Sequence, residues 1–257
     1  MIGKPPRENS DSVTVSRREF DAAIFDLDGV LTDTARLHAV AWKIVFDSFL
    51  QARAQQQDVP FRRFDIEADY LNYVDGRPRD DGTRNFLASR GIRLPQGSQH
   101  DSEDAYTVHS LGERKTRLFR QALQKGIVPA AGAETLLEKL RKAGIKTAVA
   151  SSSKNTAAIL HAAGLEGRFD ICIDGLKAEA LKLPGKPEPA VLLEIARRLD
   201  IQPSRAILFE DALAGVESGK RGGFKCVVGI DHGKQRDALR QHGADVVIES
   251  LREVQVE

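Results

Sequence analysis

Short apolar runs alternate with amphipathic stretches along most of the chain. Ala22 to Phe25 is an apolar run too short for a helix, and it reads as a buried strand. After Pro129 the alternation becomes regular. Helices are expected at Ala133 to Ala143, Asn155 to Ala163, Pro189 to Leu199, Ala212 to Arg221 and Lys234 to His242. Between and after them, strands are expected at Lys146 to Ala150, Phe169 to Ile173, Ala206 to Phe209, Lys225 to Val228 and Asp245 to Ile248. Strands separated by helices imply βαβ units and a parallel sheet. Just after the first strand the pattern is interrupted by a charged, helical block. Within it, Val40, Ala41, Ile44, Val45 and Phe49 recur at helical spacing, and further helical stretches run from Phe64 to Tyr73, Asp80 to Arg90 and Glu103 to Lys125.

This pattern predicts a Rossmann-like α/β core made of residues 19–35 and 127–257, with a helical cap, residues 36–126, inserted at the carboxyl edge of the sheet. Ligands of open α/β sheets bind at that edge. Residues 1–18 read as a loose arm.

Composition narrows the function classes. Lys plus Arg is 38 against 37 for Asp plus Glu, a net charge of +1, which gives no support to a nucleic-acid surface. No apolar run is long enough to span a membrane, and the first twenty residues lack the apolar region of a secretory signal. Cys172 and Cys226 are isolated and without metal spacing, so reduced core residues in a cytoplasmic protein are expected. A hydrophobic content of 41% is enough for a sizeable core, and without an extended apolar helical seam a monomer is expected.

The candidate chemistry lies just after the expected strands. Asp26 and Asp28 are two residues apart and project to the same side of extended backbone, with Gly29 permitting a sharp exit. Ser151-Ser152-Ser153-Lys154-Asn155 follows a second strand, Lys186 lies in a Gly-Lys-Pro-Glu-Pro loop, and Glu210-Asp211 ends another strand. Each piece has an ordinary explanation: an Asp-Gly turn, an N-cap cluster of serines, a loop lysine, an acidic helix start. Together, in order, on successive strand ends, they form a set suited to one task. Carboxylate oxygens hold a hard cation such as Mg²⁺, the lysine and hydroxyls neutralise a phosphate, and a remaining carboxylate attacks phosphorus.

These motifs, Asp26-Leu27-Asp28-Gly29-Val30, Ser151, Lys186 and Glu210-Asp211, resemble those of the haloacid dehalogenase superfamily of phosphotransferases, and within it the β-phosphoglucomutase group. The resemblance covers about residues 20 to 250. It implies that Asp26 is the nucleophile that becomes an aspartyl phosphate and Asp28 the general acid/base. It also implies Mg²⁺ held by the Asp26 carboxylate, the Asp28 carbonyl and Asp211 with Glu210 beside it, and the transferring phosphate bound by Ser151 and Lys186. Thr34, His38 and Trp42 follow the nucleophile at the group's spacing. The stretch from Asp75 to Asp80 resembles its substrate-contacting loop, with Gly76 and a phosphate-binding Arg79. Lys115 resembles a sugar-contacting lysine, and Ser153, Lys154 and Asn155 resemble the site of a second phosphate. The chain departs from the group in the longer stretches flanking Arg79 and in Pro78, where a small hydroxyl residue is usual.

The expected function is Mg²⁺-dependent phosphoryl transfer on a sugar phosphate, interconverting β-glucose 1-phosphate and glucose 6-phosphate. Two alternatives stay open: a sugar-phosphate phosphatase using the same residues with water as acceptor, and a catalytically silent binding module. The intact acidic set argues against the latter.

Overall fold

A computed structural model describes residues 13–102, 104–124, 126–233 and 235–257. Its centre is a parallel sheet of six strands. These are β2 (Ala22–Phe25), β3 (Lys146–Ala150), β4 (Ile171–Ile173), β5 (Ala206–Glu210), β6 (Cys226–Ile230) and β7 (Val246–Ile248). They lie in the order β4-β3-β2-β5-β6-β7. β2 is in the interior, paired with β3 on one side and β5 on the other. Its side chains alternate faces as extended backbone requires. Ala23 and Phe25 join one core cluster, against Leu136, Leu137 and Leu140 of α4 (Ala133–Lys142) and Ile159 and Leu160 of α5 (Thr156–Ala162). Ala22 and Ile24 join the other, with α7 (Ala190–Leu199), α8 (Leu213–Arg221) and α9 (Arg236–Gln241). Because both faces are covered, the strands are near-continuous apolar runs.

The helical block folds as a layer with its own core. α1 (Ala35–Gln57), a π-helical stretch (Ile66–Val74), α2 (Arg79–Ser89) and α3 (Val108–Leu123) enclose Phe46, Phe49, Phe64, Phe86 and Leu111. Phe86 lies 4.4 Å from Phe46 and 4.7 Å from Phe64, ring centre to ring centre. No helix among the described residues is long and apolar enough to cross a membrane.

The structure departs from the sequence pattern in four places. Val13–Val15 is a strand, β1, paired parallel with β8 (Val254–Val256), where a loose arm was expected up to residue 18. The rest of that arm, 1–12, lies outside the described residues, as do the expected helix ends Glu103, Lys125 and Lys234. A short helix, α6 (Gly175–Ala180), occupies a stretch read as loop. The stretch expected as a helix from Phe64 is instead extended to Asp65 and then π-helical, with the Asp65 side chain accepting from the N–H groups of Glu67 and Ala68. Cys172 and Cys226 are free and half-buried at the edge of the core.

Phe25 and Phe209 occupy paired positions on adjacent strands, and their rings stack 4.8 Å apart at 7°. Phe209→Ala removes a fully buried ring directly beneath the site. Urea unfolding is expected to show a loss of about 3–5 kcal/mol, whereas the half-exposed Ile44→Ala stays within about 0.5 kcal/mol. Equal effects of the two substitutions would show that the sheet is not packed as described.

Candidate active site

The parallel register sets the site. Phe25 pairs with Phe209, so the next residues, Asp26 and Glu210, leave the sheet side by side. Asp211 follows at once. One ligand oxygen from each of Asp26, Glu210 and Asp211 can be chosen within 4.8 Å of the others, and all three residues are buried. The buried Lys186 ammonium donates to Asp26 Oδ1 at 2.5 Å and also to Glu210 Oε1. Two carboxylates thus share one buried ammonium, and that of Asp211 lies beside them. Burial pushes the Asp26 carboxyl up against the pull of Lys186, and the negative charges of Asp211 and Asp28 add to the rise. Glu210, wholly enclosed, is pushed up for the same reason. Such a set of uncompensated hard oxygens fits Mg²⁺ or a similar cation.

Gly29 makes the approach of these elements possible. Its φ is +89°, and a side chain there would overlap the Asp211 carboxylate. The Gly29 carbonyl accepts a 2.9 Å hydrogen bond from His232 Nε2, which also lies 3.5 Å from Asp211 Oδ2.

Asp28 faces the helical layer. Its N–H donates to Asp26 Oδ2 at 2.9 Å, which orients the neighbouring carboxylate. Thr34, fully enclosed, donates to Asp28 Oδ1 at 2.5 Å, and its hydroxyl also bonds Thr32 at 2.7 Å. His38 Nε2 lies 3.2 Å from the same Asp28 oxygen, and Lys115 Nζ donates to His38 Nδ1. With Nδ1 accepting, Nε2 carries the proton, close to Asp28 but without a hydrogen bond to it. Burial raises the Asp28 pKa, but His38, Thr34 and Lys115 together outweigh it and hold the carboxyl below its usual range. Burial lowers His38, and it brings Lys115 down to about 7 despite the nearby Asp28.

Above these residues lies a partly open cavity of about 70 Å³. Asp26, Asp28, Asp211, His38 and Trp42 line it, and so do Gly76, Arg79, Lys115, Ser153, Lys154 and Asn155. Trp42 is also part of the helical core, stacked on Phe46 at 4.7 Å. Arg79 is nearly enclosed and held by Glu113 at 2.5 Å, Asp80 at 3.1 Å and Thr116 at 3.2 Å. Gly112 leaves it room, since a side chain there would meet Arg79 Nε at 2.6 Å. Asn155 Oδ1 accepts from Arg120 at 3.0 Å, and Lys154 pairs with Glu179 at 2.6 Å near the rim. Gly76 (φ +68°) abuts Ala212, and its carbonyl accepts from Ser152 at 2.9 Å. Thr34, Ser151 and Lys186 do not line this cavity. Ser151 Oγ accepts from Ser153 N–H at 3.1 Å and, with Lys186, borders a neighbouring cavity of about 280 Å³ under α2.

Sequence reasoning passed over several lining and supporting residues. Asp75 and Tyr70 line the cavity. Burial pushes Asp75 up to about 8, and Asp211 and Asp26 add to the rise. Asp75 opens the stretch that resembles the substrate-contacting loop, but nothing in the sequence assigned it a role of its own. Tyr70, Glu113, Arg120 and His232 carried no local signal.

A sequence model of the haloacid dehalogenase-like hydrolase family matches residues 20–223. The chain belongs to that family. It is an enzyme of the haloacid dehalogenase superfamily, with a parallel-sheet α/β fold. It is 44% identical over 237 residues to a β-phosphoglucomutase of Mycobacterium tuberculosis, covering 91% of this chain and 90% of that protein. A phosphorylated carbohydrates phosphatase of Thermotoga maritima is 28% identical over 89% of this chain and 94% of its own length. The crystal structure of a β-phosphoglucomutase from Clostridium difficile superposes with a TM-score of 0.70 at 26% identity, over 91% of this chain and 92% of that one.

Lys186→Met would leave Asp26 and Glu210 buried side by side without their shared ammonium. Stripping a partner from such a group costs about 3–5 kcal/mol. Denaturant unfolding in metal-free buffer is expected to show that loss, with part of it recovered on adding Mg²⁺. Unchanged stability would remove Lys186 as the charge that holds the strand ends together.

Proposed function

We propose that the chain is a β-phosphoglucomutase, interconverting β-glucose 1-phosphate and glucose 6-phosphate through an aspartyl phosphate on Asp26. The reading is carried by the composition of one cavity. Asp26 and Asp28 stand on its floor, and a second set of phosphate-suited groups, Arg79, Lys154 and Asn155, stands on its wall. An enzyme that handles a sugar bisphosphate needs both. The 44% identity to a mycobacterial β-phosphoglucomutase supports it.

The chemistry assigned to each residue follows from its surroundings. Asp26 needs no base to become a nucleophile, because its carboxylate lone pair attacks directly. Lys186 and the Asp28 N–H orient its two oxygens. Asp26, Asp211 and the Asp28 carbonyl, with Glu210 beside them, would hold Mg²⁺, which supplies positive charge against the phosphate when bound. From the phospho-Asp26 enzyme, Asp28 takes the proton of the acceptor hydroxyl as that oxygen bonds phosphorus and the Asp26–phosphorus bond breaks. The bisphosphate so formed turns over in the site. Asp26 then attacks the other phosphate, and Asp28 returns its proton to the departing sugar oxygen. The His38–Lys115 pair, by holding Asp28 ionised, readies it for the first of these steps. Ser151 and Lys186 are assigned to the transferring phosphate. Arg79, Ser153, Lys154 and Asn155 are assigned to the distal one, and Trp42, Gly76 and Lys115 to the sugar between them. Thr34 steadies Asp28.

A cavity of about 70 Å³ is far smaller than the ~300–1,000 Å³ of a small-molecule site. We therefore assign residues 36–126 to a cap that opens to admit substrate. Opening would break Ser152 to Gly76, Arg120 to Asn155 and the Pro78 ring against Gly185, and would loosen Ala41, Phe119 and Leu123 from the cluster on one face of the sheet.

Two measurements test the reading. If Asp28 protonates the leaving oxygen, Asp28→Ala slows transfer from a sugar phosphate by about 10²–10⁴-fold and transfer from an aryl phosphate far less, since phenolate leaves unaided. Equal losses on both substrates would make Asp28 structural.

Arg79→Ala separates mutase from phosphatase. It is expected to cut conversion of β-glucose 1-phosphate by about a hundredfold, the scale of a lost charged contact, while aryl phosphate hydrolysis holds or rises as water enters. Free phosphate as the main product of the wild-type enzyme, with no glucose 6-phosphate formed, would put the phosphatase reading first.

A further inference from the structure

A further cavity belongs wholly to the helical layer, and no step of the mechanism uses it. It measures about 420 Å³, within the ~300–1,000 Å³ of a small-molecule site. One wall is the face of α3 that carries Arg114, Arg117 and Arg120, and the other is the loop around Ser98 and Asp101. That loop lies in one of the two stretches flanking Arg79 that are longer than in the β-phosphoglucomutase group. The groove is therefore not something the family resemblance implies.

The loop wall is fastened in place. The N–H groups of Val108 and His109, in the first turn of α3, donate to the carbonyls of Pro95 and Gln96 at 3.0 and 2.9 Å. A helix start leaves such donors without partners of its own, so the loop caps α3 as it passes. Thr107 Oγ1 donates to Asp101 Oδ2 at 2.5 Å. Gly97, with φ +74°, makes this turn possible, because a side chain there would collide with both of those groups. Arg114 ties the end of the loop to the helix, donating to the Ala105 carbonyl at 2.9 Å.

The charge of the groove is set by α3. Residues three apart on a helix are neighbours, and the three arginines climb at that spacing, about 4.5 Å of rise per step. Gln121 and Gln124 extend the same wall with neutral donors. Asp101 and Glu113 also line the groove, but each is already engaged, Asp101 by Thr107 and Glu113 by Arg79. Guanidinium groups bind phosphate or carboxylate oxygens in pairs, and a cleft lined by one sign of charge concentrates ions of the other. A single small ion would use only part of such a row. We propose that this groove is a binding site for a small polyanion of the phosphate class, separate from the active cavity. It gives the helical layer a ligand of its own, one that needs neither the strand ends nor a metal.

The test titrates inorganic pyrophosphate calorimetrically into wild type, Arg117→Ala, Gln121→Glu and Lys154→Ala, in buffer with a chelator. Gln121→Glu places a negative charge on the same wall and serves if loss of an arginine disturbs the helix. Lys154 lines only the active cavity of the two. It is a better control than Arg79, whose loss would release Glu113 on the groove wall. Arg117→Ala and Gln121→Glu are each expected to weaken binding about tenfold or more, the scale of a lost charged contact. Lys154→Ala is expected to change it less than about threefold. Inorganic phosphate is expected to bind wild type at least about tenfold more weakly than pyrophosphate.

Three results overturn the proposal. Absence of binding to wild type at millimolar pyrophosphate would leave the groove without its ligand. A loss that follows Lys154→Ala and spares Gln121→Glu would place the anion in the active cavity. Equal affinity for phosphate and pyrophosphate would show that the arginine row does not act together.

Discussion

The structure depends on one unfavourable juxtaposition that is made tolerable. Asp26, Glu210 and Asp211 meet at the ends of two paired strands, buried, with a single buried ammonium from Lys186 among them. Placing like charges together in a low-dielectric interior costs free energy that no surface ion pair returns. The sheet register forces the meeting, because Phe25 opposite Phe209 leaves the next residues nowhere else to point. Gly29 and Gly215 then keep the backbone clear of the carboxylates, as side chains there would overlap Asp211 and Glu210 respectively. The same unbalanced charge is what a bound cation would neutralise.

Against this fixed floor the helical layer supplies everything adjustable. It has an aromatic core, and Leu118 packs against both that core and the cluster on one face of the sheet. It is held to the sheet by Ala41, Phe119 and Leu123, which pack into the cluster on one face, by single hydrogen bonds and by a proline–glycine contact.

Much of this was legible in the sequence, for identifiable reasons. The acids on successive strand ends could be read because apolar runs of four or five residues mark strands plainly, and in a parallel sheet the residues just past those runs gather at one edge. Asp26, Asp28, Lys186 and Glu210 come together accordingly, although 160 positions separate Asp26 from Lys186. The pattern misled where the signal was shorter than a period. β1 and β8 are three residues each, too brief to show alternation. The π turn at Ile66–Val74 has apolar spacing that an α-helix would share, so the alignment of Tyr70 with Asp75 could not be foreseen. Nor could Glu113 be matched to Arg79 across 34 positions with only charge as a guide.

The pairing of β1 with β8 joins the two extremes of the described chain, Val13 beside Val254 and Val15 beside Val256. Because these strands run parallel, tension applied to the chain from its two ends pulls them past each other lengthwise. Their hydrogen bonds then share the load in shear, where bonds opened one at a time by peeling would not. The small sheet thus acts as a mechanical clamp at the point where a tether, a fusion partner or a threading machine would first take hold.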